Sequence, residues 1–181
     1  MRTAYSLFLV AVLAFATSLA RAQNPEGVSN YRLGAGDVIS IQILGEDDLR
    51  REKIRLSDAA TISYPILGEI RLFGKTVAEL ETLIRDGLKG RYLVNPQVTV
   101  TINEYRNFFI NGQVEKPGGY PYIPGLTVRK AVSLAGGFKE RASREKIFVI
   151  REDDKAQARQ RVGLNTVVNP GDIITVEESF F

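Results

Sequence analysis

A six-residue pattern occurs twice in this chain, once near the start and once near the end. The first copy spans Gly36–Ile41 (GDVISI) and the second spans Gly171–Val176 (GDIITV). Glycine tolerates a positive φ, and aspartate can hydrogen-bond the backbone two residues further on, so each copy begins with a predicted turn. Apolar residues then alternate with Ser40 or Thr175, as in a strand with one buried face. The repeat predicts two similar turn-and-strand units within a sheet.

The first 22 residues have the composition of a secretory signal peptide. Arg2 gives a positive start, residues 4–16 carry no charge, and residues 20–22 (ARA) fit the small-x-small cleavage pattern. An uncleaved membrane anchor is the alternative, although the uncharged run is shorter than the roughly 20 residues of a bilayer span. We therefore expect cleavage after residue 22, with residues 23–30 forming a flexible leader.

Charge and cysteine content narrow the class of protein. Cleavage would remove Arg2 and Arg21, so the 24 basic and 21 acidic residues of the chain would come close to balance. A nucleic-acid-binding protein would carry a clustered basic excess, and nucleic acid is therefore not an expected partner. The chain has no Cys, which excludes disulfides and predicts a chain without the lipid-attached cysteine of bacterial lipoproteins. These features predict a periplasmic location.

After the leader, the chain divides into two predicted modules, residues 31–103 and residues 105–178. The first module has predicted strands at 38–43, 61–64, 69–72 and 98–102. Its helix is predicted to begin at the N-cap Thr76, because Glu79 completes a capping box, and Gly90 is predicted to stop it.

The second module has predicted strands near 108–110, 120–122 and 147–150, and it ends with the second copy of the repeat. Thr127 is predicted to cap its helix and Gly136-Gly137 to end it. Residues 153–161 are predicted to form a charged connection. Because strands accompany a single helix in each module, we predict an α+β fold rather than a parallel α/β fold.

The residue types argue against catalysis. With no His and no Cys, the chain lacks the usual general base, the thiol nucleophile and nearly all zinc ligands. Paired carboxylates can serve a glycosidase or a metal ion, but the acidic runs 46–48 and 152–154 are consecutive, so their side chains should diverge. We interpret both runs as solvated turns, and we expect neither an enzyme nor a cofactor.

Aromatic residues cluster where the two modules meet. Tyr120 and Tyr122 are candidate saccharide contacts, since sugars stack on aromatic faces, and Tyr105, Phe108 and Phe109 lie nearby in the sequence. Core packing or a contact between subunits is the alternative interpretation, and we favour it because aromatic side chains dominate cores and interfaces.

Residues 31–37 (YRLGAGD), followed by an alternating strand and Gly45-Glu46, resemble the opening signature of outer-membrane polysaccharide export proteins. That family usually has proline where this chain has Ala35. Residues 95–100 (NPQVTV) resemble the strand that closes the export domain. Residues 112–118, 131–137 and 168–174 resemble parts of the soluble-ligand-binding β-grasp (SLBB) domain, so the resemblance covers nearly all of the chain after the leader.

The resemblance implies export of capsular, biofilm or other exopolysaccharide across a Gram-negative envelope. Family members assemble into rings around a passage for the polymer. The longer members carry several grasp domains, a lipidated cysteine and a terminal membrane helix, and we expect none of these here. We therefore expect a periplasmic homo-oligomeric ring or adaptor that works with a separate outer-membrane barrel and an inner-membrane polysaccharide co-polymerase. A monomeric periplasmic carbohydrate-binding module is the alternative.

The residues that carry the resemblance are interpreted as positions that set the shape of the chain rather than as sugar contacts. If Asp37 only holds its turn, its replacement by alanine should cost about 1 kcal/mol. The full set is Gly34, Gly36, Asp37, Pro96, Gly112, Pro117, Gly118, Gly136, Gly137, Pro170, Gly171 and Asp172.

Overall fold

The computed structural model of the protein describes residues 30–179. The predicted signal peptide and residues 23–29 of the predicted leader lie outside the described residues. Over residues 30–179 the chain forms ten strands and two α-helices, which confirms the predicted α+β class. No helix within that range has both the length and the apolar character needed to cross a bilayer.

The first module is a three-stranded sheet covered by one helix, with a separate hairpin beside it. Its elements are β1 (Val38–Ile43), a 3-10 turn (Asp47–Leu49), β2 (Arg51–Arg55), β3 (Thr61–Tyr64), β4 (Gly68–Arg71), α1 (Val77–Leu88) and β5 (Val98–Glu104). Strand β1 lies between β2 and β5 and is antiparallel to both, while β3 pairs with β4. The alternating isoleucines of the first repeat are buried in this module's core, as the pattern predicts.

Helix α1 begins with the predicted capping box. The hydroxyl of Thr76 accepts a hydrogen bond from the backbone N–H of Glu79 at 3.2 Å, and the Glu79 carboxylate accepts one from the N–H of Thr76 at 2.9 Å. The helical spacing of Leu80, Ile84 and Leu88 places these three side chains together in the core. Burial of this apolar face is what attaches the helix to the sheet.

The second module is a five-stranded sheet with one short helix. Its elements are β6 (Phe108–Gly112), β7 (Gly118–Tyr120), α2 (Val128–Leu134), β8 (Ala142–Ile150), β9 (Gln160–Val162) and β10 (Ile173–Glu178). The strand order is β7-β6-β10-β8-β9, and β10 is parallel to β6 and antiparallel to β8. The second repeat therefore supplies the central strand, with Ile174 and Val176 buried.

Four strands differ clearly from the sequence prediction. Strand β2 was not predicted, and strand β9 overlaps the end of the predicted charged connection 153–161. Strand β7 spans Gly118–Tyr120 rather than 120–122, because Pro121 has no N–H to donate to the ladder, and β8 begins at Ala142 rather than near Ile147. Strands β2 and β9 are edge strands with charged sequences, and charge on an edge strand discourages unwanted pairing. Their residues show no apolar alternation. These strands form nevertheless, because each is hydrogen-bonded to a neighbouring strand that has buried residues.

Candidate functional site at the junction of the two modules

The turn before β1 is organised by the side chain of Asp37, which is fully buried. Its carboxylate accepts hydrogen bonds from the backbone N–H of Gly34 at 2.9 Å and from the hydroxyl of Tyr31 at 2.7 and 2.8 Å. Gly36 adopts a φ of +87°, a conformation that favours glycine. The predicted turn is present, but the aspartate bonds the backbone three residues before it rather than two residues after it.

The turn before β10 repeats this geometry. The Asp172 carboxylate accepts a hydrogen bond from the backbone N–H of Asn169 at 2.7 Å, and Gly171 has a φ of +84°. Arg151 Nη1 lies 2.5 Å from Asp172 Oδ2 and also donates to the carbonyl of Val167. The sequence repeat is thus a structural repeat, with a buried carboxylate that closes a three-residue turn in each module.

The two turns hold the short linker between the modules from both sides. The backbone N–H of Arg106 donates to Asp37 Oδ1 at 2.8 Å, and the N–H of Gly171 donates to the carbonyl of Asn107 at 3.0 Å. The carbonyl of Asp172 then accepts from the N–H of Phe109 at 2.9 Å, at the start of β6. The repeated motif therefore fixes the path of the chain as it passes from one module to the other.

The Arg106 side chain joins the two modules directly. Its Nη1 lies 3.1 Å from Asp37 Oδ2 and 2.6 Å from the Tyr31 hydroxyl, both in the first module. Its Nε lies 2.5 Å from Glu152 Oε2, which belongs to the second module. The approach is so close that a Cβ on Gly34 would lie 2.7 Å from Arg106 Nη1, so a side chain at this position would displace the guanidinium from its partners. We call Tyr31, Asp37, Arg106 and Glu152 the junction cluster.

The electrostatics of the junction cluster favour a charged guanidinium and a neutral phenol. Burial alone would lower the pKa of Arg106, but the neighbouring Tyr31, Asp37 and Glu152 outweigh it and raise the pKa above its ordinary value. Burial, and then the hydrogen bond to Asp37, raises the pKa of Tyr31 far above that of a free tyrosine. Tyr31 is therefore a hydrogen-bond donor at neutral pH, which matches the direction of its bond to Asp37.

Beside the junction cluster lies an open cleft of about 690 Å³. The rings of Tyr31, Tyr105 and Tyr122 follow one another edge to face, with centroid separations of 4.9 and 5.3 Å. The cleft is lined by Gly36, Arg55, residues 103–107 and residues 121–124, which combine aromatic and apolar surface with amide and charged groups. Such a surface can stack against a sugar ring and hydrogen-bond its hydroxyls.

The two candidate saccharide contacts are not equivalent. Tyr122 lines the cleft, whereas Tyr120 is not among its lining residues. The Tyr120 ring stacks on buried Phe108 at a centroid distance of 6.0 Å, and its hydroxyl donates to the carbonyl of Lys116 at 2.5 Å. Both tyrosines pack against the second module's core, and only Tyr122 of the two also faces a cleft at the junction.

The remaining residues of the predicted set are dispersed over the two modules. Pro170 is buried beside the second turn, while Pro96 is buried before β5, on the opposite end of the first sheet. The others lie at ends of elements of the second module: Gly112 ends β6, Pro117 and Gly118 lie at the start of β7, and Gly136 and Gly137 follow α2. The structure thus brings only the two turns together.

The acidic runs do not converge on a common centre. Asp47 and Asp48 are exposed in the 3-10 turn, and the Asp154 carboxylate accepts from the N–H groups of Ala156 and Ala158 within its own turn. Glu152 is exposed, in agreement with its interpretation as a solvated residue, and it also pairs with Arg106. Within residues 30–179 no group of three acidic side chains is placed to hold a metal ion.

Sequence reasoning did not identify Tyr31, Arg106 or Glu152 as parts of one cluster. Arg106 is an isolated cation between two predicted modules, and the acid in contact with it from the first module lies 69 residues earlier. In the sequence, the only indication of a special role for Arg106 was its position just after the strand that closes the first module. Its partners could not be predicted, because the contacts of a linker residue depend on how the two modules dock.

Two family models match the chain, one for each module. The polysaccharide biosynthesis/export protein family matches residues 25–103, and the SLBB domain matches residues 107–160. The boundary between the two matches coincides with the linker that carries Arg106. Both matches follow in the order that the sequence resemblance predicts.

Curated relatives carry related names. The chain is 34% identical over 144 residues to the exopolysaccharide production protein ExoF of Rhizobium meliloti (strain 1021), a match that covers 72% of this chain and 32% of the relative. It is 26% identical over 182 residues to the EPS I polysaccharide export outer membrane protein EpsA of Ralstonia nicotianae (strain ATCC BAA-1114 / GMI1000), covering 82% and 47%. EpsA of Ralstonia solanacearum is 26% identical over 133 residues, covering 59% and 35%.

The chain spans between about a third and a half of the length of the curated relatives it matches. Each of its two modules nevertheless matches a family model, the export domain first and the SLBB domain second. On these matches, the chain belongs to the polysaccharide biosynthesis/export protein family, with an SLBB domain following its export domain.

Proposed function

We propose that this protein is a periplasmic component of a capsule or exopolysaccharide export apparatus, in which it forms a ring or adaptor that guides the polymer toward the outer membrane. The names of its relatives, which refer to exopolysaccharide production and to export at the outer membrane, support this role. In this role its partners are the exopolysaccharide, further copies of the chain, a separate outer-membrane barrel and an inner-membrane polysaccharide co-polymerase.

The junction cluster is the structural observation that carries the proposal. A ring closes only when each subunit turns the next by the same angle, so a subunit built from two modules must hold them in one orientation. Arg106 is bonded to Asp37 of the first module and to Glu152 of the second, and both turns form hydrogen bonds with the linker backbone. This construction favours a rigid assembly unit over two modules that bind independently.

The domain assignment that accompanies the proposal is an export domain at residues 31–103 and an SLBB β-grasp domain at residues 105–178, after a cleaved signal peptide and a short leader. The role requires no catalytic residue and no cofactor. A long, polar polymer moves through a hydrated passage by weak and transient contacts, and tight binding at any one site would hold it back.

A deletion strain tests the export role. We expect cells without the gene to lose surface polymer, and a copy of the wild-type gene to restore it. Surface polymer is quantified by a hexose assay on washed cells, and glycan retained inside the envelope is measured in parallel. Normal surface polymer in the deletion strain would contradict the proposal. After fractionation, a carbonate wash should release the protein from membranes of cells that lack its envelope partners.

A monomeric carbohydrate-binding module is a second candidate, and the cleft beside Tyr105 and Tyr122 favours it. Titration calorimetry with fragments of the cell's own exopolysaccharide separates the two roles. A binding module should take up the fragments as a monomer and lose affinity in Tyr122→Ala but not in Tyr120→Phe, which keeps the ring that packs on Phe108. An export component should instead assemble in solution and bind fragments weakly.

A further inference from the structure

A groove along helix α2 of the second module combines exposed apolar residues with two cations. It has a volume of about 430 Å³, and most of the residues that line it are exposed. Ile123, Pro124 and Leu134 form apolar walls, and the side chains of Ile123 and Leu134 are 55% and 43% exposed. Arg129 and Lys130 also line the groove. Exposed apolar surface beside polar residues is typical of a site that contacts a protein, a ligand or a membrane.

Neither cation of the groove has a carboxylate partner among the described residues. Arg129 Nη2 lies 3.5 Å from Asn165 Oδ1, and the Lys130 ammonium group donates to the carbonyl of Gly125 at 2.9 Å. Both of these acceptors are neutral, so the two positive charges are not compensated. The groove therefore favours a partner that carries negative charge.

The chain segments around the groove add no negative charge to it. Residues 121–136 contain no Asp or Glu, and neither do residues 163–168, which are joined to α2 by backbone hydrogen bonds. Glu115 packs beside the chain just after the C-terminal end of the helix, but Lys116 follows it at once and balances its charge. The surface around α2 therefore keeps a net positive charge.

The junction cleft, which adjoins the groove at Ile123 and Pro124, does not change this balance. Glu104 lines that cleft, and its carboxylate lies 3.0 Å from the guanidinium of Arg55, which lines the cleft as well. The two charges compensate each other. A negatively charged surface that approaches α2 therefore meets no unpaired acid from this side.

The most exposed apolar residues of the described chain lie elsewhere, among charges of both signs. Leu44 and Val94, at the end of the first module's sheet, are 82% and 90% exposed. The charged residues around them are Glu46, Asp47, Asp48, Arg50, Arg51, Lys89 and Arg91. Such a mixture gives no preference for a negatively charged partner. This end of the molecule therefore serves as an internal comparison for the groove.

We propose that the groove along α2 is a peripheral contact site for a membrane surface rich in anionic phospholipid. Ile123 and Leu134 enter the boundary between headgroups and acyl chains. Arg129 and Lys130 stay at the level of the phosphates, because long basic side chains keep their charged ends in water. Charge and apolar exposure together are the reason for choosing this partner. A soluble acidic polymer would leave the apolar walls in water, and an apolar protein surface would leave the two cations unpaired.

This contact goes beyond the proposed export role, because it requires neither the polymer nor another protein. Two cations and two partly exposed apolar side chains give weak and reversible binding. A carbonate wash should therefore still remove the protein from membranes. The contact orients the second module, with α2 facing the bilayer.

Vesicle flotation of the form of the chain that cells secrete tests this contact. Binding to vesicles made of equal parts phosphatidylglycerol and phosphatidylcholine should exceed binding to vesicles of phosphatidylcholine alone. At about 1 M salt, where the Debye length is about 3 Å, the excess should disappear. Arg129→Gln with Lys130→Gln should weaken binding to the anionic vesicles by about 30-fold, since each basic residue near such a surface contributes about five-fold.

The matched control for charge is Lys89→Gln with Arg91→Gln. It removes the same two charges from the end of the first sheet, where both residues are exposed. Because those charges lie outside the groove, this control should bind anionic vesicles as the wild type does. Circular dichroism should match the wild type for both double variants, since all four residues are exposed.

A second pair of variants tests the apolar part of the contact. Ile123→Ser with Leu134→Ser should weaken binding to the anionic vesicles by about 10-fold, because less apolar surface leaves water. Phe73→Ser is the control, since Phe73 is 62% exposed and lies outside the groove. It should bind as the wild type does.

Equal binding to the two kinds of vesicle would overturn the proposal, as would equal losses in the glutamine variant of the groove and its control. Soluble polygalacturonate tests an acidic polymer as the occupant. Groove-dependent binding of polygalacturonate, together with full vesicle binding by the serine variant, would replace the membrane with such a polymer. If a second copy filled the groove, sedimentation velocity without vesicles would show a mass that falls in the glutamine variant, which also counts against the proposal.

The export role is tested separately, by the surface polymer of the deletion strain. Lost surface polymer together with a chain that does not bind anionic vesicles would overturn the membrane contact and leave the export role in place. Normal surface polymer together with groove-dependent vesicle binding would do the reverse.

Discussion

The two copies of the repeated turn differ in what their buried carboxylates connect. Asp172 accepts from Asn169 and Arg151, and both of these donors belong to its own module. Asp37 accepts from Gly34 and Tyr31 in its own module and also from the backbone and side chain of Arg106 in the linker. The same local motif therefore closes a turn in one place and docks two modules in the other. The difference lies in the arginine that reaches each carboxylate.

The largest effect should come from removing the carboxylates themselves. Asp37→Ala should lower the free energy of unfolding by about 4 kcal/mol, because it leaves a largely buried guanidinium and two backbone N–H groups without their acceptor. This exceeds the cost of about 1 kcal/mol expected for a turn alone. Asp172→Ala should cost about 1 kcal/mol less than Asp37→Ala, since fewer hydrogen bonds are lost. Urea unfolding of both variants measures the difference, and equal losses would mean that Asp37 serves only its own turn.

Replacing Arg106 or Arg151 should lower the free energy of unfolding by less, but the two variants should differ in the number of unfolding transitions. Arg106→Ala should cost about 2 kcal/mol, the scale of a hydrogen bond to a charged group, and should uncouple the modules. Differential scanning calorimetry should then resolve two transitions in place of one, and trypsin should cut the linker faster. Arg151→Ala is the matched control, because Arg151 pairs with Asp172 inside one module. It should lower stability without separating the transitions, and a single transition in Arg106→Ala would show that the modules are docked by other contacts.

The smallest effect at neutral pH should come from Tyr31→Phe, which removes one phenol that donates to Asp37. The loss should be about 1 kcal/mol. The raised pKa of Tyr31 means that the folded state keeps a proton that the unfolded state releases above pH 10, so this contribution is complete below pH 10 and declines as the pH rises further.

Wild type should therefore lose stability by up to about 1.4 kcal/mol for each pH unit above 10 relative to Tyr31→Phe. Urea unfolding of both proteins at several alkaline pH values measures how the difference between their free energies of unfolding changes with pH. Tyr64 and Tyr122 titrate in both proteins, so their effects cancel in the comparison. If the difference between the two free energies of unfolding did not change with pH, the fold would not be holding the phenol of Tyr31 neutral.

Much of the architecture could be predicted from short-range patterns. The alternation around Ile39 and Ile174, the capping box at Thr76 and the cap at Thr127 each depend on residues within a few positions of one another. Strands β2 and β9 escaped prediction because their sequences are charged and their ladders are supplied by β1 and β8. Strands without alternating apolar residues could not be predicted, because they form only through hydrogen bonds to a neighbouring strand.

In the candidate site, too, some features could be predicted from the sequence and others depend on tertiary packing. Tyr122 could be proposed from its residue type and its position near the junction, and the structure places it in a cleft wall. Tyr120 could be proposed on the same grounds, yet its ring packs on Phe108. Both rings pack against the second module's core, and the two tyrosines differ because only Tyr122 also lines the cleft beside the linker.

By itself, the sequence determined the α+β class, the two turns and the family to which the chain belongs, because each of these depends on local conformation or on motifs in a given order. Only the tertiary structure decided that Asp37 meets Arg106, that Arg106 meets Glu152, and that both turns grip one linker. These contacts join residues far apart in the chain. Burial removes water from Asp37 and from most of Arg106, and charges buried in this way must find their partners within the protein.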